Sequence, residues 1–332
     1  MQIRPLVLPL AAVLALGLAG CSSSTAAPAA SSTPTTSAST TETVSVDNCG
    51  FDLVVATPPE RIVTIKSTST EMLLALGLGD KIIGTGFPDG PVPEEWAIAA
   101  ADIPTISDFA PSQEAVLDLE PDFVFGGWES NFTAEAAGER ATLDSLGIGS
   151  YVSPAACKED GYKPDPLTFD LVFDEILEAG TIFGADDAAA ELVATQSEQL
   201  ESITPDDRGL SALWYSSGTD TPYVGAGIGA PQMMLDQLGV TNIAANVHDT
   251  WSSLSWEAVV DADPDVIVLV DASWNTAESK IALLEGNPAT AGLTAVTNGS
   301  YLRIPFAAGE AGVRNVEATA DLAAQLTALE IP

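Results

Sequence analysis

Short apolar runs alternate along most of this chain with longer stretches whose apolar positions recur every three or four residues. The first kind reads as buried strands, the second as helices packed on them. Residues 51–55, 61–66 (RIVTIK) and 81–85 are predicted strands, with a helix over 71–78 between the last two. Thr68 and Glu71 have the spacing of a capping box at the start of that helix. A strand at 123–125, a helix over 133–146 and a strand at 150–152 complete the first half. Residues 169–203 keep mostly helical spacing, weakened at Gly180 and Gly184, and predict a long connector with a bend or break near Gly184. The second half repeats the alternation: strands at 211–215, 266–270 and 301–304, helices over 231–238 and 277–284. Strand and helix in turn predict parallel α/β sheets.

One segment occurs twice. Residues 112–125 read SQEAVLDLEPDFVF and residues 255–268 read SWEAVVDADPDVIV, identical at half their positions without a gap. A repeat so far apart predicts two similar lobes rather than a solenoid. Ser112 and Ser255 are good helix N-caps, because a serine oxygen accepts an orphan amide hydrogen bond. Glu114 and Glu257 then fall in first turns, where the helix dipole favours an anion. Pro121 and Pro264 stop the helices, and apolar runs follow. Each lobe therefore presents one glutamate at the start of a matching helix, a surface suited to a two-sided partner.

The first twenty residues, with Arg4 ahead of an apolar core and small residues before Cys21, read as a secretory leader. Leu18-Ala19-Gly20-Cys21 resembles a bacterial lipobox, which would make a lipid-carrying Cys21 the first mature residue. Residues 21–46, rich in Ser, Thr, Ala and Pro, form the expected disordered tether. The expected folded parts are a first lobe over 47–165, a connecting helix over 166–203 and a second lobe over 204–332. The formal charge of -36 excludes nucleic acid as a partner, since phosphate contacts need a basic face. Cys49 and Cys157 remain once Cys21 is lipidated; outside the cytoplasm such a pair favours a disulfide over two free thiols. The chain's one histidine, His248, makes a bare-metal site poorly supported. A secreted hydrolase would need His248 as its base, and no G-x-S-x-G elbow accompanies it.

The run ERIVTIKSTSTEMLLALGL, the paired E-A-V-x-D-x-x-P-D segments and the long connector resemble the cobalamin and iron-siderophore class of ABC-transporter substrate-binding lipoproteins. The resemblance covers nearly all of residues 49–332. It implies two Rossmann-like lobes with parallel sheets, a long helical connector and a ligand cleft between the lobes. It implies a binding protein without catalysis or cofactor. Such a protein is a monomer held by its lipid on the outer face of the cell membrane. It implies a permease with a cytoplasmic ATPase as partner, docked through Glu114 and Glu257. Several stretches, among them GWESNF, YVSPAAC, LWYSSGTDTPYVGAGIGAPQ and FAAGEAGVR, resemble an actinobacterial group of proposed binding proteins for the deazaflavin coenzyme precursor F-420-0. Ferric siderophore, cobalamin and haem are the alternative cargoes of the class.

Ligands of open parallel sheets sit beyond the carboxyl ends of the strands. Those ends supply Lys66, Ser67, Thr68 and Ser69; Trp128, Glu129, Ser130 and Asn131; Tyr215, Ser216 and Ser217; and Trp274 with Asn275. Trp128 and Trp274 follow corresponding strands and either face each other across the cleft or pack as half-buried aromatics. Gly225, Gly227 and Gly229 precede a predicted helix and read as an anion-binding loop or a plain flexible one. Arg303 and Arg314 are the candidate cations of the second lobe.

Overall fold

A computed structural model describes residues 43–331. The expected leader, the expected lipidation site Cys21 and all but the end of the expected tether lie outside the described residues. Chain order begins with an antiparallel hairpin, β1 (Val44–Asn48) and β2 (Phe51–Val55). β1 starts inside the span read as tether, because Val44 and Val46 alternate toward the core beneath a Ser/Thr-rich surface. The hairpin's turn is bolted to the first lobe by a Cys49–Cys157 disulfide. Beside it, the Asn48 side chain trades hydrogen bonds of 2.8 Å with the backbone of Val152.

The first lobe is a five-stranded parallel sheet of β3 (Ile62–Ile65), β4 (Ile82–Gly86), β5 (Thr105–Ser107), β6 (Phe123–Gly126) and β7 (Gly149–Val152), in the order β5-β4-β3-β6-β7. Every residue of β3 and β6 is buried, as expected when helices cover both faces of a parallel sheet. Those helices are α1 (Ser67–Ala75), α2 (Ala97–Ala100), α3 (Gln113–Leu117) and α4 (Arg140–Ser145). α1 begins at Ser67, ahead of its predicted start. The expected capping box is absent, because Thr68 and Glu71 lie inside the helix and are buried. The helix expected over 133–146 shrinks to α4, since Gly138 at φ +104° and an extended Glu139 interrupt the periodic pattern.

The connector is two helices, α5 (Phe169–Phe183) and α6 (Asp186–Ser202), not one rod. Gly184 ends α5 at φ +71°, a left-handed position that favours glycine. α5 belongs to the first lobe: Phe183 packs on Phe123 and Phe125, with ring centroids 5.2 and 5.7 Å apart. α6 reaches the second lobe, where Gln196 donates a 2.6 Å hydrogen bond to the Val313 carbonyl.

The second lobe contains β8 (Ser211–Ser217), β9 (Tyr223–Gly225), β10 (Thr241–Asn242), β11 (Trp251–Ser253), β12 (Val266–Asp271) and β13 (Tyr301–Pro305). Its order is β11-β9-β8-β12-β13, with β10 also on β8. β8, β10, β12 and β13 pair in parallel, while β9 runs antiparallel to both its neighbours, β8 and β11, so this sheet is mixed rather than purely parallel. Helices α7 (Ala230–Leu238), α8 (Trp256–Ala262), α9 (Ala277–Gly286), α10 (Thr294–Asn298) and α11 (Asn315–Ala328) complete it. One apolar core runs from Phe123 and Phe125 through Phe183 and Ala189 to Trp214, Met234 and Leu322, joining both lobes through the connector. Among the described residues no helix is long and apolar enough to cross a membrane.

Candidate functional site

The central strands β3 and β6 point their carboxyl ends at one place, because the chain builds outward from β3 to β4 and β5, then returns to β6 on the other side. At the end of β3, Lys66 turns the chain at φ +84°, a region a non-glycine residue seldom occupies. Its ammonium pairs with Asp89; both side chains are almost wholly buried. The same ammonium lies 3.6 Å from the centroid of Trp128 and 4.3 Å from that of Phe87. At the end of β6, Gly127 allows this crowding, since a Cβ there would stand 2.5 Å from Thr68 Oγ1 and 2.8 Å from Lys66 Cβ. The Asn131 side-chain oxygen accepts the Trp128 backbone N–H at 2.9 Å and sets the turn that follows.

The second lobe closes over this point. Trp128 Nε1 donates to Glu310 Oε2 at 2.9 Å. Arg314 meets Glu71 at 3.3 Å, Lys163 meets Asp249 at 3.2 Å, and Lys158 Nζ lies 3.4 Å from Thr250 Oγ1. Between the lobes is a cavity of about 360 Å³, toward the small end of ligand sites, which run from about 300 to about 1,000 Å³. Its first-lobe wall includes Thr68, Trp128, Glu129, Ser153 and Lys158; its second-lobe wall includes Ser216, Tyr223, Trp251, Phe306 and Glu310. Tyr223 and Trp251 are stacked, 6.2 Å between centroids and 14° between planes.

Of the residues expected from strand ends, Thr68, Trp128 and Ser216 line this cavity, as do Glu129 and Ser130. Lys66 stands behind Trp128. Ser67 exchanges hydrogen bonds with Asp89, and the Ser69 hydroxyl donates to the Ile65 and Lys66 carbonyls. Tyr215 and Ser217 flank Ser216 on a strand whose side chains alternate between faces; Tyr215 packs on Trp256 and donates to the Gly218 carbonyl. Trp274 is 63% exposed and packs edge-on against Phe306 instead of meeting Trp128. The Asn275 carbonyl accepts from Lys280. Arg303 faces outward on β13 and pairs with Glu278, and Arg314 is held by Glu71. These two arginines leave Lys158 as the cation on the cavity wall.

In the loop with Gly225, Gly227 and Gly229, three backbone amides are used within the lobe, while Gly229 and Ala230, at the start of α7, line the cavity. The N–H groups of Ala226, Gly227 and Ile228 donate to the carbonyls of Thr250, Val247 and Asp249. Sequence reasoning missed Tyr223, Trp251, Phe306 and Glu310. Trp251 lies on an antiparallel edge strand, where VHDTWSS carries no alternation to mark it. Glu310 lies in FAAGEAGVR, a stretch noted only for resemblance.

Enclosure by both lobes raises the Glu310 carboxyl, against the lowering effect of Lys66 and the indole bond. Burial likewise raises Glu71 to about 7 despite Arg314. Behind the cavity wall, burial on α5 pushes Glu175 up to about 8, although Ser153 and the Ala155 amide hydrogen-bond to it. A raised carboxyl binds a proton in the folded state where the unfolded chain does not. Stability should therefore be highest near its ordinary value of 4.5 and fall as pH rises toward 8. We expect an unfolding free energy lower by roughly 1–3 kcal/mol at the alkaline end. Denaturant titrations at several pH values check this, and Glu175→Gln should flatten the slope. His248 is exposed, pairs with Asp165 at 3.3 Å and stays off the cavity wall. Among the described residues no cluster of three His, Cys, Asp or Glu side chains is placed to hold a metal ion.

Residues 62–308 match the family model described as periplasmic binding protein. An uncharacterized ABC transporter substrate-binding lipoprotein of Bacillus subtilis, YvrC, is 26% identical over 234 residues, 66% of this chain and 66% of YvrC. A cobalamin-binding protein of Halobacterium salinarum is 27% identical over 267 residues, 76% of this chain and 65% of that protein. The chain thus spans just under two thirds of the length of these relatives. The solved structure of an ABC-type Fe3+-hydroxamate transport system from Saccharomonospora viridis superposes with a TM-score of 0.72 at 25% identity, covering 86% of this chain and 99% of that one.

Proposed function

The chain belongs to the periplasmic binding protein family, and on that premise we propose that it is the capture subunit of an ABC importer. Its cargo, in this reading, is a flat-ringed organic ligand, the deazaflavin precursor F-420-0. The lipid on Cys21 holds it at the outer face of the membrane, and Glu114 and Glu257 dock it on the permease. The observation that carries the cargo reading is the aromatic lining contributed by both lobes, Trp128 from the first and Tyr223, Trp251 and Phe306 from the second. Such walls suit a planar ring. Lys158, at the exposed rim, suits the acidic tail of F-420-0.

The size of the cavity favours a three-ring heterocycle over cobalamin, whose corrin and side arms need more room. Haem would need an axial ligand. Tyr223 is the tyrosine on the wall, where it stacks on Trp251. The test is a titration of the tether-free protein with purified F-420-0, followed by tryptophan quenching, with cobalamin and a ferric hydroxamate in parallel. Saturable binding of the deazaflavin alone, at about 1 μM or tighter, supports the reading. Binding of cobalamin or the ferric hydroxamate instead keeps the importer role and overturns the cargo.

A further inference from the structure

Glu310 sits at an unusual junction. It lies on a loop after β13 that is held from beneath by Asn315, a fully buried residue. The Asn315 amide donates to the carbonyls of Ala308 and Glu310 at 3.0 and 2.7 Å, and its oxygen accepts the Gly312 N–H at 2.8 Å. The backbone beneath the carboxyl is thus set by three hydrogen bonds to one side chain. The carboxyl itself crosses the cleft. Oε2 accepts the indole N–H of Trp128, while Oε1 has no hydrogen-bond partner among the described residues. Trp128 is fixed in turn, by the Lys66 ammonium against its ring and by Phe87 edge-on at 5.6 Å. The result is a flat wall with a half-used carboxyl at its edge, inside the cavity.

We propose that Glu310 is a specificity-determining residue that reads the edge of the cargo, binding a flat ring that carries an N–H beside a C=O. The ring lies along Trp128 and Phe306 and presents its lactam or imide edge to the carboxyl. This rests on the reading that the cleft takes a planar organic cargo. A neutral carboxyl has one O–H donor and one carbonyl acceptor side by side, which matches that edge with two parallel hydrogen bonds. A carboxylate offers only acceptors and matches half of it. The groups facing Glu310 are Lys66, Asp89 and Lys158, with Tyr223 on the adjoining wall; enclosure outweighs the two lysines and raises the carboxyl, which favours its neutral form. A ferric hydroxamate lacks such an edge, so the residue would discriminate between cargoes of one importer class.

The experiment titrates F-420-0 into the wild-type protein, Glu310→Gln and Glu310→Ala by calorimetry, after matching their thermal midpoints, at mildly acidic and mildly alkaline pH. Glutamine keeps a donor and an acceptor in the same places, so its affinity should stay within about threefold of wild type, and alanine should lose at least about tenfold. Wild-type affinity should fall with rising pH more steeply than that of Glu310→Gln, which has no proton there to lose. If alanine binds as wild type does, or if glutamine fails as badly as alanine, the edge-reading role is overturned while the cargo assignment stands. If wild type does not bind F-420-0, the cargo assignment is overturned and the edge-reading role falls with it.

Discussion

Converting both exposed glutamates, Glu114→Lys with Glu257→Lys, should abolish cargo uptake by cells while leaving the affinity of the purified protein unchanged. Each glutamate occupies the first turn of its helix, and each helix is capped by serine: Ser112 accepts from the Ala115 amide at 3.3 Å and Ser255 from the Ala258 amide at 3.1 Å. Both carboxylates are exposed, and neither lies on the cavity wall. A lysine against the helix dipole costs about 0.3–1 kcal/mol at each site, too little to unfold the lobes. If, as proposed, the two glutamates meet cationic groups of the permease, the new like-charge contacts cost several kcal/mol each. Transport should fall at least about a hundredfold. Single reversals should show intermediate loss, because the proposed docking uses one contact from each lobe. Uptake assays in cells expressing the matching permease, beside titrations of the same variants, measure the two quantities separately. Uptake that survives the double reversal would remove the docking role.

Trp128→Ala should weaken cargo binding by about 30-fold or more, the loss of about 2 kcal/mol typical of a central aromatic anchor. Trp274→Ala should change it by less than about threefold, because Trp274 is 63% exposed and touches the cavity only through Phe306. The contrast matters more than either value. The two tryptophans follow corresponding strands, but only Trp128 is caged by Lys66 and Phe87 and bonded to the opposite lobe. Calorimetry is the measurement of choice, since removing a tryptophan alters the fluorescence signal itself. Equal losses for both variants would mean that cargo reaches past Phe306 to Trp274, and the cavity wall drawn above would be wrong.

Much of the architecture was legible in the chain. RIVTIK, DFVFGG and VIVLVD are apolar runs that stand as buried parallel strands, because such strands are covered on both faces and cannot alternate. The duplicated S-x-E-A-V segments became capped helices α3 and α8, since a cap is set by a hydrogen bond across three residues. The errors have local causes too. The capping box at Thr68 and Glu71 matched by spacing, yet burial drew Glu71 toward Arg314, 243 residues along the chain. The helix expected over 133–146 starts only at Arg140, after Gly138 at φ +104° and an extended Glu139.

By itself, then, the sequence determined two lobes, most of their parallel strands, the matched glutamates and several strand ends that border the cleft, but not the hairpin strand β1 or the short strands β5, β9, β10 and β11. The features it determined depend on contacts within a few residues or on hydrophobic period. Only the tertiary structure decided which strand-end residues face the cavity and what meets them from the other lobe. Trp128 finds Glu310 across 182 residues, and Arg303 turns away to Glu278 while Lys158 stays at the rim. Such pairings depend on how two sheets pack through one connector, and no local pattern of residues encodes that geometry.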